Sequence, residues 1–265
     1  MWGCRILVTD FYERETGEYR KGSLNMENVA VHNCSQADTD TPAIHFDTAT
    51  AGFNSLKNNA FHSGKGRGIV IDFSKNVDLQ DNVIHDFLHY GMRVENSYNI
   101  KVEGNFISSI KPERYPKFNE WKVPVAAYLF ANNKATTVQG NTASSSWGAG
   151  FIYDARDCDD STPEFVFQHN IAHSISGFGA VPQKPNKSRV GCTEVSNFSG
   201  FKNSMGTVHH AAQTGELRCK NITSVDSGIG ISCIGAANEK VEISDSQIFG
   251  NYDLQMLDCP REAEP

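Results

Sequence analysis

Hydrophobic and polar positions alternate along the chain in short runs that are separated by Gly, Asn, Asp and Ser. Residues 42–47 (PAIHFD) form one such run, in which Ile44 and Phe46 share one side of an extended chain and His45 and Asp47 share the other. No stretch of a dozen residues has the i, i+3, i+4, i+7 spacing of an amphipathic helix. The pattern therefore predicts many short β-strands and few helices.

Several segments repeat one form: a hydrophobic strand, an Asn, two further residues and then a His or Ser. Three of them are residues 56–62 (LKNNAFH), 79–85 (LQDNVIH) and 102–108 (VEGNFIS), and their shared Asn recurs every 23 residues, at 59, 82 and 105. Weaker copies follow at residues 138–144 (VQGNTAS), 167–173 (FQHNIAH) and 219–224 (CKNITS). The wider spacings of 36 and 29 residues between Asn105, Asn141 and Asn170 predict inserted loops, near residues 110–123 and 154–163.

A repeat of this length that contains only strands and turns is typical of a β-solenoid. We therefore predict an all-β chain, a right-handed parallel β-helix with rungs of about 23 residues and three short strands per rung, spanning residues 1–265 as one domain. A β-sandwich and a β-propeller are the alternative architectures. The single short repeat disfavours both, because a propeller blade needs about 40 residues.

The repeated Asn side chains are expected to form a structural ladder. Asn tolerates left-handed backbone geometry at a turn, and stacked side-chain amides can hydrogen-bond to one another and to the turn backbone. The expected members are Asn59, Asn82, Asn105, Asn141 and Asn170. The apolar residues beside them are expected to fill the narrow interior of the helix.

Composition and charge narrow the range of functions. Hydrophobic residues make up 39% of the chain, which is enough for a packed core, and the net charge is −7. No block of basic residues is longer than Arg20-Lys21, which argues against a nucleic acid as the main partner. The apolar runs are far shorter than the ~20 residues that cross a bilayer, so no membrane span is predicted in this segment.

Cysteines and glycosylation sequons point to a secretory compartment. The seven cysteines contain no C-x-x-C pair, so zinc ribbons and thioredoxin-like sites are not indicated, and no metal site is predicted. Four N-x-S/T sequons begin at Asn33, Asn186, Asn197 and Asn221; the alternative is that they are chance products of an Asn- and Ser-rich repeat. The first residues do not form a signal peptide, so a secreted chain would be part of a longer protein.

Three histidines share one position of the repeat. His62, His85 and His173 occupy it, and Ser108, Ser144 and Ser224 fill it in the other copies. Histidines on successive rungs can share a metal or a proton. The alternative is a turn histidine that bonds to the backbone, and we favour it because no carboxylate recurs beside the column.

Two further groups of residues suggest chemistry. Asp154, Asp157, Asp159 and Asp160 crowd one loop, which allows calcium as a cofactor, although the Gly and Glu of an EF-hand loop are missing and a solvated acidic loop explains the cluster as well. His45 and Asp47 face outward from one strand as a candidate acid–base pair. Their candidate partners are Asp72, Asp86, Arg67 and Arg93, and plain exposure of polar residues is the alternative.

The order of these motifs resembles the parallel β-helix region of the fibrocystin and fibrocystin-L family of large single-pass cell-surface proteins. The resemblance rests on residues 58–64 (NNAFHSG), 81–85 (DNVIH), 91–94 (GMRV), 104–107 (GNFI), 170–174 (NIAHS) and 192–198 (CTEVSNF), and covers residues 2–249. It implies a cell-surface ectodomain, with the cilium as a narrower location, and a disulfide between Cys158 and Cys192. The chain is also similar to hyaluronan-degrading cell-surface proteins, which carry a second histidine where this chain has Asp47.

Three functions follow as hypotheses. The first is a non-catalytic extracellular β-helix module that binds a protein or glycan ligand, or neighbouring domains of the same chain, without a cofactor. The second is a carbohydrate-active enzyme that cleaves hyaluronan or another uronide polymer with His45, Asp47 and Asp72. A structural spacer in a ciliary or surface filament is a third reading.

Overall fold

The computed structural model describes residues 3–37, 39, 41–50, 52–112, 125–154, 158, 165–183, 193–210, 216–233 and 240–250. Within these ranges every regular element is a β-strand. The described residues contain no helix that is long and apolar enough to cross a membrane. Parts of both predicted loop insertions, and all of the segment that carries Asn186 and Cys192, lie outside the described residues.

The strands follow one another along the chain with short connections. The first nine are β1 (Ile6–Thr9), β2 (Phe11–Glu13), β3 (Glu18–Arg20), β4 (Asn25–Glu27), β5 (Ala30–His32), β6 (Ile44–Asp47), β7 (Asn54–Lys57), β8 (Ala60–His62) and β9 (Ile69–Asp72). The next nine are β10 (Lys75–Gln80), β11 (Val83–Leu88), β12 (Tyr90–Glu95), β13 (Tyr98–Glu103), β14 (Phe106–Lys111), β15 (Ala126–Ala131), β16 (Thr136–Gln139), β17 (Thr142–Ser144) and β18 (Ala149–Asp154). The last nine are β19 (Phe165–Gln168), β20 (Asn170–His173), β21 (Phe178–Gln183), β22 (Thr193–Phe201), β23 (Gly206–His210), β24 (Leu217–Val225), β25 (Ile231–Cys233), β26 (Val241–Ser244) and β27 (Gln247–Phe249).

These strands build three long parallel sheets, so the predicted parallel β-helix is confirmed. Sheet 1 has the order β1-β6-β9-β12-β15-β18-β21-β23-β25, sheet 2 has the order β4-β7-β10-β13-β16-β19, and sheet 3 runs from β5 through β8, β11, β14, β17, β20, β22 and β24 to β26. Successive strands of the chain lie in the three sheets in turn, and each strand inside a sheet pairs with the strand one rung before it and one rung after it. The last strand, β27, pairs with β24 in sheet 3. The antiparallel hairpin of β2 and β3 stands outside the three sheets.

The corner between sheets 2 and 3 depends on one residue in left-handed conformation. That residue precedes each repeated Asn: it is Asn58, Asp81, Gly104, Gly140 and His169 in successive rungs, with φ between 52° and 65°. Asn, Asp and Gly accept this conformation at low cost. The expectation that the repeated Asn itself takes the left-handed conformation is therefore wrong: it lies one residue later, with its side chain turned into the corner.

The repeated Asn side chains form a continuous hydrogen-bonded ladder, which we call the Asn ladder. All five members, Asn59, Asn82, Asn105, Asn141 and Asn170, are buried. The Oδ1 atom of Asn82 accepts bonds from the backbone N–H and the side-chain amide of Asn59, both at 3.0 Å. Its Nδ2 atom donates to Leu56 O at 2.8 Å and to Asn105 Oδ1 at 2.9 Å. The same pattern continues through Asn141 to Asn170, so buried amides satisfy both one another and the corner backbone.

The interior is filled by like residues in vertical stacks. Isoleucines lie in register on sheet 1, where Ile44 pairs with Ile69, and aromatic rings follow on later rungs. Tyr128 and Phe151 stack with their ring centroids 4.6 Å apart. Close packing of this kind leaves little room for water between the stacked side chains.

The last rungs depart from the regular plan. Sheet 2 ends at β19, whereas β22 and β24 are nine-residue strands that continue through the corner into sheet 3. Phe198 and Ile222 there take the place that Asn occupies in earlier rungs, because Asn197 and Asn221 are the left-handed corner residues. The predicted alignment of the last copy, residues 219–224, is therefore wrong by one residue, since Ile222 and not Asn221 lies in the ladder position.

A disulfide joins Cys4 to Cys34 across two neighbouring rungs at the start of the solenoid, a pairing that the sequence did not indicate. Cys158 is also disulfide-bonded, but its predicted partner Cys192 lies outside the described residues. The Cys158–Cys192 pairing thus stays a prediction.

Replacing Asn82 by Ala tests the Asn ladder. The change removes the side-chain partner of Leu56 O and of the Asn59 backbone N–H in a buried corner, whereas Asn105 Oδ1 keeps its bond from the backbone N–H of residue 82 and the Asn59 side-chain amide keeps Met26 O. We expect the free energy of unfolding to fall by about 3 kcal/mol. Urea denaturation measures the loss. The exposed Asn25→Ala variant is the control, with an expected change below about 0.5 kcal/mol. Equal effects of the two substitutions would contradict the role of the ladder.

Candidate functional site

Sheet 1 carries a group of charged side chains on its outer face, which we call the charged cluster. The register places His45 beside Val70 and Asp47 beside Asp72, and the next strand adds Arg93 and Glu95. Arg5 reaches the same group from the first rung. The structure therefore brings together His45, Asp47 and Asp72, which the sequence proposed as a catalytic set.

The contacts within the charged cluster are ion pairs and hydrogen bonds that neutralise its members. Arg93 Nη2 lies 3.9 Å from Asp72 Oδ2, and Arg93 Nε lies 3.5 Å from Glu95 Oε2. Asn96 donates to Asp72 Oδ1 at 3.3 Å. The carboxylates of Asp72 and Glu95, on neighbouring strands, thus share the Arg93 guanidinium.

His45 is held in a form that suits a hydrogen-bond donor better than a base. Arg5 Nη2 lies 2.6 Å from its Nδ1. Because a guanidinium only donates, Nδ1 accepts and the proton of the neutral ring sits on Nε2. Burial lowers the pKa of His45, and the charges of Arg5 and Arg93 act in the same direction, against the opposing charges of Asp47 and Asp72. The neutral ring therefore has no free lone pair with which to take a proton.

Two other nominated residues lie elsewhere or have other partners. Asp86 is on β11 of sheet 3, where its carboxylate pairs with Lys111 Nζ at 2.6 Å. The guanidinium of Arg67 lies over the Tyr90 ring, 5.9 Å from its centroid. Neither joins the charged cluster as a third catalytic group.

Among the described residues no group of three or more His, Cys, Asp or Glu side chains is arranged to hold a metal ion. Of the acidic loop, Asp154 closes β18, whereas Asp157, Asp159 and Asp160 lie outside the described residues. Calcium binding by that loop stays an untested hypothesis.

Asp154 is a notable group that sequence reasoning placed only in a loop. It stands on the outer edge of sheet 1, where it accepts a hydrogen bond from the backbone N–H of Asn132. Burial raises its pKa to about 6, and the charge of Glu95 adds to the rise. The apolar side chains of Leu129 and Ile152, on the same outer face, lie in a cluster of their own. No local sequence motif indicates this burial, because it depends on how the strands of the folded sheet pack.

The outer face of sheet 3 carries a second set of side chains, which we call the ring column. It runs in register through His32, His62, His85, Ser108, Ser144, His173 and Phe201. The predicted neighbours His62 and His85 are one rung apart, as the repeat indicated. Two members were missed: His32, whose rung has Val29 in place of the ladder Asn, and Phe201. Ser224 is wrongly placed in this column, since it points inward and bonds Thr207 at 2.7 Å.

The rings of this column stack on one another. His32 and His62 are parallel to within 16° with centroids 5.5 Å apart, and His173 and Phe201 are parallel to within 5° at 4.6 Å. The imidazole nitrogens bond serine side chains: His85 Nδ1 lies 2.9 Å from Ser108 Oγ. We had expected these histidines to bond to the backbone; in the structure their ring nitrogens lie beside serine hydroxyls.

Beside the ring column lies a row of exposed apolar side chains. Val83 is 44% exposed, and Phe106 and Ile171 are each 37% exposed. The row follows strand register from Val83 to Phe106, then through Thr142 to Ile171. We call the ring column and this row together the sheet 3 face.

The remaining nominated residues are accounted for as follows. His209 and His210 point to opposite sides of β23, with His210 buried and His209 stacked on Phe178 at 4.3 Å. Of the sequons, Asn33 and Asn221 are exposed and Asn197 is half-buried beside Asn221, which donates to it at 2.7 Å. Asn186 lies outside the described residues, and glycosylation at all four stays a prediction.

The chain belongs to the family described as the right handed beta helix region, whose sequence profile matches residues 11–157 and, in a second alignment, residues 42–213. The handedness predicted from the repeat is thereby confirmed.

Among individual proteins, the chain is 25% identical to human fibrocystin-L over 244 residues. The match covers 87% of this chain and 6% of fibrocystin-L, so the chain corresponds to a small part of that protein. Among solved structures it is similar to PfbA, a surface adhesin of Streptococcus pneumoniae, with a TM-score of 0.46, 9% identity, and coverage of 87% of this chain and 82% of PfbA. DFA-IIIase from Arthrobacter chlorophenolicus A6 is similar with a TM-score of 0.35, 8% identity, and coverage of 84% and 57%.

Asp154→Asn tests the burial of the outer edge of sheet 1. Because the folded state raises the pKa of Asp154 from 3.8 to about 6, the stability that this carboxyl contributes is present below pH 3.8 and is lost as the pH rises through about 6. The neutral Asn avoids that loss. We expect the variant to gain about 1–2 kcal/mol over the wild type at pH 8 and almost nothing at pH 4, by urea denaturation. A gain that is the same at both pH values would contradict the shifted pKa.

Proposed function

We propose that this chain is a non-catalytic extracellular β-helix module of a larger cell-surface protein, and that it binds a protein partner through the sheet 3 face. The observation that carries the proposal is the exposed apolar row next to the ring column, repeated at the spacing of the strands. Monomeric surfaces seldom keep apolar side chains aligned over several rungs without a use for them.

The geometry of the rings favours a protein over a glycan. Sugars bind aromatic side chains through the ring faces, but His32 and His62, like His173 and Phe201, use those faces on each other. The exposed side chains beside these stacked pairs include the aliphatic Val83 and Ile171. Such a surface complements the apolar centre and polar rim of a protein interface.

An extracellular location agrees with three observations. The Cys4–Cys34 disulfide is typical of oxidising compartments. The sequon residues Asn33 and Asn221 are exposed and thus accessible to a glycosyltransferase. The sequence is similar to fibrocystin-L, whose family the motifs also resemble.

A carbohydrate-active enzyme is the second candidate, because the charged cluster does gather His45, Asp47 and Asp72 on one face. The tautomer of His45 and the ion pairs of Arg93 weigh against it. Incubation with hyaluronan and uronide polysaccharides, with and without calcium, tests this candidate. We expect unchanged polymer length; cleavage that His45→Ala abolishes would make the chain an enzyme.

The binding proposal is tested by placing charges on the sheet 3 face. We expect the triple variant Val83→Lys, Phe106→Lys, Ile171→Lys to lose at least tenfold in binding of the tagged, multimerised chain to intact cells, measured by flow cytometry. The reason is that lysine ammonium groups would have to be desolvated in an apolar interface. Since all three side chains are exposed, the fold should remain, and circular dichroism checks that it does.

The matched control adds the same three charges to sheet 2, as Gln80→Lys, Tyr98→Lys and Thr137→Lys. It should bind cells like the wild type. Protease treatment of the cells should remove binding, whereas enzymatic removal of surface glycans should not. Equal loss in both triple variants, or loss on deglycosylation alone, would overturn the proposal.

A further inference from the structure

The ring column and the exposed apolar row share the outer face of sheet 3, and their members alternate along each strand. Val83 lies two residues before His85 on β11, and Ile171 lies two residues before His173 on β20. Side chains two residues apart in a strand point to the same side of the sheet. Because a stable interface is much wider than this spacing, a partner that covers Val83 and Ile171 also covers the imidazole rings of His85 and His173.

Histidines are concentrated in the ring column. His32, His62 and His85 occupy three consecutive rungs and are exposed. His173 is half-buried and lies three rungs further along the same column. Histidine is the side chain that gains a positive charge between pH 8 and pH 5. Acidification therefore adds as many as four positive charges to the face that carries the apolar row.

The surroundings of His85 offer its charged form no free carboxylate. The neighbouring strands place His62 on one side of it and Ser108 on the other, with Nδ1 of His85 2.9 Å from Ser108 Oγ. The carboxylate of Asp86, the next residue, is paired with Lys111 Nζ at 2.6 Å. In the described part of the chain, the ring of His85 thus bonds a neutral group and not an acid.

The first two histidines of the column would carry their charges side by side. The rings of His32 and His62 are stacked with centroids 5.5 Å apart, and His62 faces His85 on the following rung. Their bonding partners are neutral: Nδ1 of His32 lies 3.3 Å from Asn33 Nδ2, and Nδ1 of His62 lies 3.3 Å from Ser63 Oγ. Like charges repel more strongly when a bound partner excludes the water that screens them.

His173 is the most enclosed of the four histidines. Uncharged side chains face it from both neighbouring strands: Ser144 of β17 and Phe201 of β22, on which its ring stacks at 4.6 Å. Burial lowers the pKa of His173, so the folded chain already disfavours its charged form. A partner seated on Ile171 removes more water from this ring and strengthens that preference.

We propose that protonation of the ring-column histidines weakens the binding of the protein partner to the sheet 3 face, so that mildly acidic pH releases the partner. This inference rests on the proposed function and adds the regulation of the same face. Because covering the rings favours the neutral form in the complex, protonation favours the free chain, and the affinity falls as the pH drops. Each histidine that must stay neutral weakens binding by about tenfold one pH unit below the midpoint of its titration.

Binding of the tagged, multimerised chain to intact cells at pH 7.4 and pH 5.5 tests the inference, with an apparent Kd measured by flow cytometry. We expect the apparent Kd of the wild type to be at least tenfold higher at pH 5.5. The test variant carries His32→Gln, His62→Gln, His85→Gln and His173→Gln. Its ratio of the two Kd values should be below two, whatever its affinity at pH 7.4, and circular dichroism at pH 5.5 checks that both chains stay folded.

The single variants His85→Gln and His173→Gln should each lower the ratio at least twofold, and they decide the question if the fourfold variant binds too weakly to measure. The matched control carries His45→Gln and His209→Gln on sheet 1 and should keep the wild-type ratio.

The outcomes separate this inference from the binding proposal. Wild-type Kd values that agree within twofold at the two pH values, or a wild-type ratio that survives in the Gln variants, would overturn the inference and leave the binding proposal standing. Absence of binding by the wild type at pH 7.4 would overturn the binding proposal and the inference with it.

Discussion

The structure depends on a buried polar corner that must be repeated in every rung. A parallel β-helix can bury its apolar stacks only if the backbone groups at each turn find partners, since no water reaches them. The Asn ladder supplies those partners. The side-chain amide of Asn82, for example, donates to a backbone carbonyl of the preceding rung and to the side-chain oxygen of Asn105, and that oxygen also accepts from the backbone N–H of Asn82. The residue before it, left-handed in every case, sets the angle between sheets 2 and 3.

Strict stacking has a consequence for the surface. Once the rungs are in register, the outward side chains at one position of the repeat form a column along the axis. Side chains of the same kind are thereby brought side by side. Sheet 1 in this way gathers alternating charges, and sheet 3 gathers rings and apolar side chains. Flat repeated faces suit recognition of a partner more than catalysis, which needs converging groups.

Much of the fold could be predicted because one recurring residue, the Asn of each rung, marks the repeat in the sequence. Asn59, Asn82 and Asn105 at constant spacing define the rung, and the period disfavours a β-sandwich and a β-propeller. The repeat could not be recognised where another residue replaces the ladder Asn. Val29 takes that place in one rung, so His32 was missed, and Phe198 and Ile222 take it in two others, so Ser224 was misplaced. The pairing of Cys4 with Cys34 depends on which rungs are neighbours, which spacing alone does not tell.

Less of the candidate sites could be predicted. The outward direction of His45 and Asp47 followed from alternation, but the bond from Arg5 that fixes the His45 tautomer joins residues forty positions apart. The raised pKa of Asp154 arises from burial, and burial is a result of packing between rungs. Such properties belong to the assembled solenoid.

Site-specific photocrosslinking on intact cells tests the central claim most directly. A photoreactive phenylalanine analogue is placed at Phe106 on the sheet 3 face or, for comparison, at Lys101 on sheet 2. The account predicts a protease-sensitive adduct from position 106 and none from position 101. An adduct from position 101 alone, or one from position 106 that only glycosidases remove, would contradict it.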